Sequence, residues 1–151
     1  MICYQAKVYR DGSGYSVEFV DFPACFSAGE TKEEALENAR EALSLHLEEA
    51  RDPKWRLPKP KTRSGKEFYW IVPYEDVAIP LMIRDARLRH GLSQRELARC
   101  LGISVQQLQK LETPGKSNPT IKTLTAISKA LNERLFVRLA ARCRSSGLDF
   151  F

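Results

Sequence analysis

Hydrophobic and polar residues alternate with period two in "CYQAKVYR" and again in "YSVEFV", two runs rich in Tyr, Val and Phe that are separated by "DGSG". That period, with glycines between the runs to take up turn geometry, predicts a β-hairpin. After "DFPACFSAGE" the period becomes helical. Thr31 and Glu34 have the T-x-x-E spacing of a capping box, and Leu36, Ala39, Leu43, Leu47 and Ala50 then fall on one face. A loop rich in proline and basic residues, "RDPKWRLPKPKTRSGK", follows, and "EFYWIVPY" returns to strand character. The first half reads as ββ(β)αβ.

The second half is helical throughout. A helix is predicted from Pro80 through "LMIRDARLRH" to a stop at Gly91. Ser93 and Glu96 form a second capping box ahead of "QRELARCL", Gly102 makes a turn, and Ser104 caps "VQQLQKLE". Two helices joined by so short a glycine turn cross steeply and leave the second on the surface. Leu97, Ala98, Leu101, Ile103, Leu108 and Leu111 supply the seam between them. Asn118 as N-cap and Pro119 as first helical residue then open "TIKTLTAISKALN", and "RLFVRLAARC" is a fifth helix. The fold class expected is α+β, with a sheet-and-helix half followed by an all-α, five-helix helix-turn-helix half.

A chain of 151 residues with 43% hydrophobic content has enough apolar surface for one domain or two small ones. No apolar run is long enough to span a bilayer and the first residues lack the shape of a signal peptide, so a cytoplasmic protein with no membrane partner is expected. Cys3, Cys25, Cys100 and Cys143 stand far apart and the chain has two histidines. That pattern favours neither a metal site nor a disulfide framework, and reads as reduced, mostly buried thiols. Charge divides the chain more sharply than hydropathy does. Residues 1–80 hold 11 Lys+Arg against 14 Asp+Glu, a net −3, whereas residues 81–151 hold 13 against 5, a net +8. A strongly basic half suits a polyanion, and an acidic one a basic protein. The acid is concentrated on the predicted first-half helix, where eight carboxylates lie between Glu30 and Asp52 against Lys32, Arg40 and Arg51.

The sequence points away from an enzyme. Asp11, Glu18 and Asp21 lie near the first two strands, but Asp11 belongs to the turn and Glu18 shares its strand face with Ser16 and Val20, so they do not converge as a metal-dependent nuclease requires. His46 falls beside the apolar stripe as a packed histidine, and His90 sits at a helix C-terminus facing the last carbonyls. No nucleophile–base pair, phosphate-cradling loop, metal spacing or cofactor motif is present, so no catalytic residue and no cofactor are assigned.

"GLSQRELARCLGIS", "LQKLE" and "NPTIKTLTAISKAL" resemble the Cro and phage-repressor (XRE-type) family of DNA-binding domains over about residues 82–140. The resemblance implies that the helix after Ser104 enters the major groove with its N-terminal residues toward base edges. Val105, Gln106 and Lys110 would then face bases with Gln107 and Gln109 nearby, and Gln94, Ser104, Lys116 and Lys122 would lie along the DNA backbone. The chemistry suits the role, since Gln pairs bidentately with adenine, Lys with guanine, and Val meets a thymine methyl. The same resemblance implies an ion pair between Arg87 and Glu112 that fixes the angle of the reading helix.

"DGSGYSVEFVDFPACFSAGETKEEALENAREALSLHLEE" is similar to the N-terminal domain of HicB antitoxins, with "DFPAC" standing where that family usually has D-[LI]-P-[GE]. This second resemblance implies a degenerate ribonuclease-H-like domain without catalysis. It also implies binding of a small basic HicA-like ribonuclease toxin, and repression of the pair's own promoter. The toxin face is assigned to the corner residues Asp21, Phe22, Pro23 and Phe26 and to the helix carboxylates Glu33, Glu37, Glu41 and Glu48. The expected layout is a toxin-neutralising domain over 1–77, an operator-binding domain over 78–140 and a tail over 141–151. A near-palindromic site read by two recognition helices implies a homodimer or larger homo-oligomer. The other reading is a transcriptional regulator whose first half senses a small ligand and has no toxin partner.

Overall fold

A computed structural model describes residues 2–137. Its elements run β1 (Tyr4–Asp11), β2 (Gly14–Phe19), β3 (Phe26–Gly29), α1 (Lys32–Glu48), β4 (Phe68–Ile71), α2 (Glu75–Arg89), α3 (Gln94–Leu101), α4 (Val105–Leu111) and α5 (Ile121–Ala130). The class is α+β, with the strands and α1 in the order the sequence patterns predict. Packing divides the described residues into two compact units, one built from residues 2–46 with Pro58–Tyr74, the other from Leu47–Leu57 with residues 75–137.

In the first unit an antiparallel sheet is ordered β3-β2-β1-β4. Alternation sends Tyr4, Ala6 and Val8 of β1, Val17 and Phe19 of β2 and Ile71 of β4 to one face, where all are buried. Helix α1 covers that face with Ala35, Ala39 and Leu43, each fully buried. The stripe runs through Ala35, whereas Leu36, expected on it, is only half-buried. Helix and sheet approach closely here, since a Cβ on Gly29 would stand 2.5 Å from the Ala35 backbone nitrogen. The Thr31 hydroxyl accepts from the Glu34 N–H as a cap should, but the Glu34 carboxylate reaches the Glu30 N–H.

The second unit holds four described helices. Helix α2 begins at Glu75, five residues before the expected start, and Pro80 lies inside it. Proline has no N–H for the Asp76 carbonyl one turn earlier, and that carbonyl accepts instead from the Gly115 N–H at 3.0 Å, so the helix continues without an orphaned acceptor. Gly91 and Gly102 close α2 and α3 in left-handed geometry, φ +68° and +65°, with the six-to-one hydrogen bonds Leu92 N–H to Arg87 O and Ile103 N–H to Ala98 O. Helix α5 starts two residues later than expected: Thr120 is its N-cap, and Asn118 and Pro119 precede it. Residues 134–137 of the expected fifth helix carry no helix, and its remainder, with Cys143 and the 141–151 tail, lies outside the described residues. Of the cysteines expected inside, Cys25 is buried and its thiol is pushed up to about 11 by that burial, Cys3 is half-buried and Cys100 is exposed. His90 pairs its ring Nε2 with Glu133 at 3.0 Å and does not cap the helix carbonyls.

Candidate functional site

Helices α3 and α4 are each held at their N-terminus by a closed capping box. Ser93 Oγ accepts from Glu96 N–H at 3.2 Å while the Glu96 carboxylate accepts from Ser93 N–H at 2.7 Å, and this bonding from Ser93 holds the Glu96 carboxyl below its ordinary range. Ser104 and Gln107 repeat the arrangement at 3.1 and 2.9 Å. Between the helices Leu97 and Leu108 are fully buried in a cluster with Ile83, Ala86, Ala98, Ile127 and Leu131. Burial of each of the two leucines is worth about 1.5–3 kcal/mol, enough to fix the crossing of the pair.

The outer side of α4 is polar and exposed through Gln106, Gln109 and Lys110. Two other residues expected to face bases are occupied elsewhere. Gln107 spends its side-chain oxygen on the capping box, and Val105 is half-buried against the core cluster. Gln94, at the first position of α3, donates to Glu112 Oε2 at 2.9 Å and accepts from Gln109 Nε2 at 3.3 Å. Ser104, Lys116 and Lys122 are exposed, the last in the first turn of α5.

Beneath this surface the structure brings Arg87 and Glu112 together, 3% and 1% exposed, in a two-pronged contact: Nε to Oε1 at 2.6 Å and Nη2 to Oε2 at 2.9 Å. Arg87 also donates to the carbonyls of Leu92 and Pro53. A continuous set of bonds therefore leads from Arg87 through Glu112 and Gln94 to Gln109 on the exposed side of α4. Sequence reasoning missed Arg84, which is also 3% exposed and donates to the carbonyls of Ala50, Asp52 and Glu112 at 2.6, 3.2 and 2.7 Å. Burial pushes its pKa down, offset in part by the neighbouring Glu112. The available signal was its place at i+7 from Val77 and i+3 from Leu81, on a helix face that is otherwise apolar.

In the first unit Glu33, Glu37 and Glu41 form an exposed stripe along α1, and Tyr74 hydroxyl donates to Glu37 at 3.4 Å. Glu48, expected with them, is half-buried, and its carboxylate lies 3.2 Å from where a Cβ on Gly115 would stand. At the corner, Pro23 is exposed and the Asp21 carboxylate accepts the Lys61 N–H. Phe22 is not available to a partner. It is 7% exposed, its ring 4.7 Å from Tyr4 and 4.8 Å from His46, because an aromatic at this corner closes the end of the core. Phe26 is 71% exposed but belongs to the sheet face away from α1, so the corner and helix residues do not form one surface. Among the described residues no group of three or more His, Cys, Asp or Glu converges as a metal would require, and no helix is long and apolar enough to cross a membrane.

Comparison with known proteins accounts for both units. Residues 4–81 match the family model of the HicB-like antitoxin of bacterial toxin-antitoxin systems, and residues 83–136 match a helix-turn-helix model. Antitoxin HicB 2 of Photorhabdus laumondii is 30% identical over 132 residues, covering 87% of this chain and 92% of the relative. Antitoxin HicB of Escherichia coli K12 is 33% identical over 98 residues, 65% of this chain and 70% of that protein. A crystal structure of the Burkholderia pseudomallei antitoxin HicB aligns with 66% of this chain and 95% of that one at 22% identity and a TM-score of 0.40. With one family model over more than half of its length and a relative matched almost end to end, this chain belongs to the HicB-like antitoxins, in a form that carries a C-terminal helix-turn-helix.

Proposed function

We propose that the protein is a non-enzymatic antitoxin that neutralises a small, basic HicA-like ribonuclease and represses the promoter of the pair, as a homodimer or larger homo-oligomer. The observation that carries the DNA half is the exposed polar side of α4, rigidly presented by two capping boxes and a buried ion pair in a half of net charge +8. Gln106, Gln109 and Lys110 read bases, while Lys116, Lys122 and the N-terminus of α3 lie along phosphates. Gln106→Ala is expected to weaken the native operator by about 1–3 kcal/mol and leave random duplex unaffected. Equal loss on both DNAs would remove it from base readout. The footprint should cover two half-sites about 34 Å apart, and protection of a single half-site would contradict the dimer.

The toxin half rests on the Glu33, Glu37 and Glu41 stripe, which attracts a cationic partner, whereas the helix-turn-helix half repels one. Glu37→Lys with Glu41→Lys should cut co-purification with the neighbouring basic gene product by at least tenfold and leave operator binding intact, since rim charges set association across an interface. Undiminished capture of that protein by the double variant would place its contact elsewhere.

A further inference from the structure

The sheet has a second face, and its chemistry is opposite to that of α1. Strand register places Phe26, Glu18, Lys7 and Phe68 side by side across β3, β2, β1 and β4, with Tyr9 one step along from Lys7 and Trp70 opposite Gln5. Phe26 is 71% exposed, and Tyr9, Phe68 and Trp70 are half-buried, on a face over which no described helix of this unit packs. The exposed Phe26 ring and the half-buried rings beside it leave apolar surface on this face that the core under α1 does not use.

The segment 58–66 borders this face in irregular but anchored backbone. The Gln5 side chain, 4% exposed, both donates to the Arg63 carbonyl at 3.2 Å and accepts from the Arg63 N–H at 2.6 Å, as a neighbouring strand would. Asp21 holds the Lys61 N–H, and Tyr4 hydroxyl holds the Pro58 carbonyl at 3.0 Å. These bonds use the backbone and leave the Lys61 and Arg63 side chains exposed, with Lys59, Lys66 and Lys7 exposed as well. Among the described residues no ion pair neutralises any of these five cations. The segment 58–66 carries four cations and no carboxylate, so the border of this face is cationic although Glu18 and Asp11 lie on the face itself.

We propose that this open sheet face, with its anchored basic border, binds single-stranded RNA. Stacking of unpaired bases on the aromatic rings needs no particular sequence, and the lysines and Arg63 neutralise the backbone that tracks past them. A duplex hides its base faces and does not use the rings. The hydrogen-bonded pairs Tyr9–Glu18 at 2.7 Å and Ser16–Asp11 at 3.0 Å put hydroxyl and carboxylate groups beside the rings. A ribose 2′-hydroxyl has partners there that deoxyribose does not use. A basic protein, by contrast, meets the four cations of segment 58–66 at the border of this face, which separates it from the acidic stripe of α1.

The test is fluorescence anisotropy of the full chain with a labelled single-stranded RNA of about 12 nucleotides, with DNA of the same sequence and a duplex of it in parallel. Phe26→Ala should weaken RNA binding roughly fivefold or more, and Lys61→Glu with Arg63→Glu roughly tenfold or more. The charge variant should also flatten the salt dependence of binding by about 0.7 in log–log slope per cation removed. Both sets of side chains are exposed, and unchanged melting establishes that each variant is folded. Gln106→Ala with Lys110→Ala should leave RNA binding intact. RNA affinity unaffected by the sheet variants, loss only in the α4 variant, or equal affinity for the matched DNA would overturn the proposal. Loss of capture of a basic protein by the sheet variants, without change in RNA affinity, would make the face a protein interface and likewise overturn it.

Discussion

Glu112→Ala is expected to destabilise the helix-turn-helix unit by about 3–5 kcal/mol, because it leaves the Arg87 guanidinium buried without its counter-charge. A domain of this size has about 5–15 kcal/mol of stability in total, so the loss is a large fraction of it. At about 4–8 °C per kcal/mol the melting transition of the unit should fall by tens of degrees. Operator affinity should fall with it, since Gln94 loses its acceptor and α4 loses the bond that sets its angle. Glu112→Gln should rescue only in part, because its amide keeps one acceptor for the guanidinium but sets an NH2 donor against the other Arg87 N–H and removes the counter-charge. Replacing both partners by apolar residues of similar volume, Arg87→Met with Glu112→Leu, should recover part of the stability but not the affinity. Calorimetric melting and an operator titration of the three variants check this, and a wild-type transition in Glu112→Ala would refute the assigned role.

The second large effect concerns where the DNA-binding unit begins. A fragment starting at Glu75 contains every helix of the motif, but it lacks the Ala50, Asp52 and Pro53 carbonyls that accept from the buried Arg84 and Arg87. Hydrogen bonds from a charged donor are worth about 1.5–3 kcal/mol each. Truncation lets water reach the guanidiniums and returns part of this, so a net loss on the order of 3–5 kcal/mol is expected. A fragment starting at Leu47 keeps all three acceptors and carries 58–74 as a connector. Urea unfolding should give the longer fragment a cooperative transition and the shorter one a midpoint far lower. Equal midpoints would show that Leu47–Leu57 contributes nothing to the unit. The expected domain start at 78 omitted this segment, because its contribution is made through backbone carbonyls, which no side-chain pattern announces.

Several features were legible in the chain because they depend on neighbours in sequence. The Ser93–Glu96 box, the Ser104 cap and the Gly91 and Gly102 turns are each decided within six residues. The β1–β2 hairpin follows from two alternating runs joined by a short turn. Where local rules failed, a distant group intervened. Pro80 reads as a helix start, yet the Gly115 N–H takes the carbonyl that proline cannot serve, and the helix begins a turn and a half earlier. Ala35, not Leu36, takes the buried face of α1, at the point where the Gly29 backbone of β3 passes close to the helix. Gln107 and Val105, expected at base-reading positions, are engaged by a cap and by the core respectively.

By itself the sequence determined the α+β order, the helix-turn-helix, the family resemblance and the separation of acidic from basic halves, since periodicity, caps and charge are properties of the chain read in order. Tertiary structure decided the rest. It buried Arg84 against three carbonyls, turned Phe22 inward and left Phe26 out, and gathered Lys61 and Arg63 beside the aromatic side of a sheet whose other side carries an acidic helix. The reason is that a buried charge is stable only where acceptors from other segments converge on it, and a sheet assigns each residue a face only through the register of strands distant in sequence.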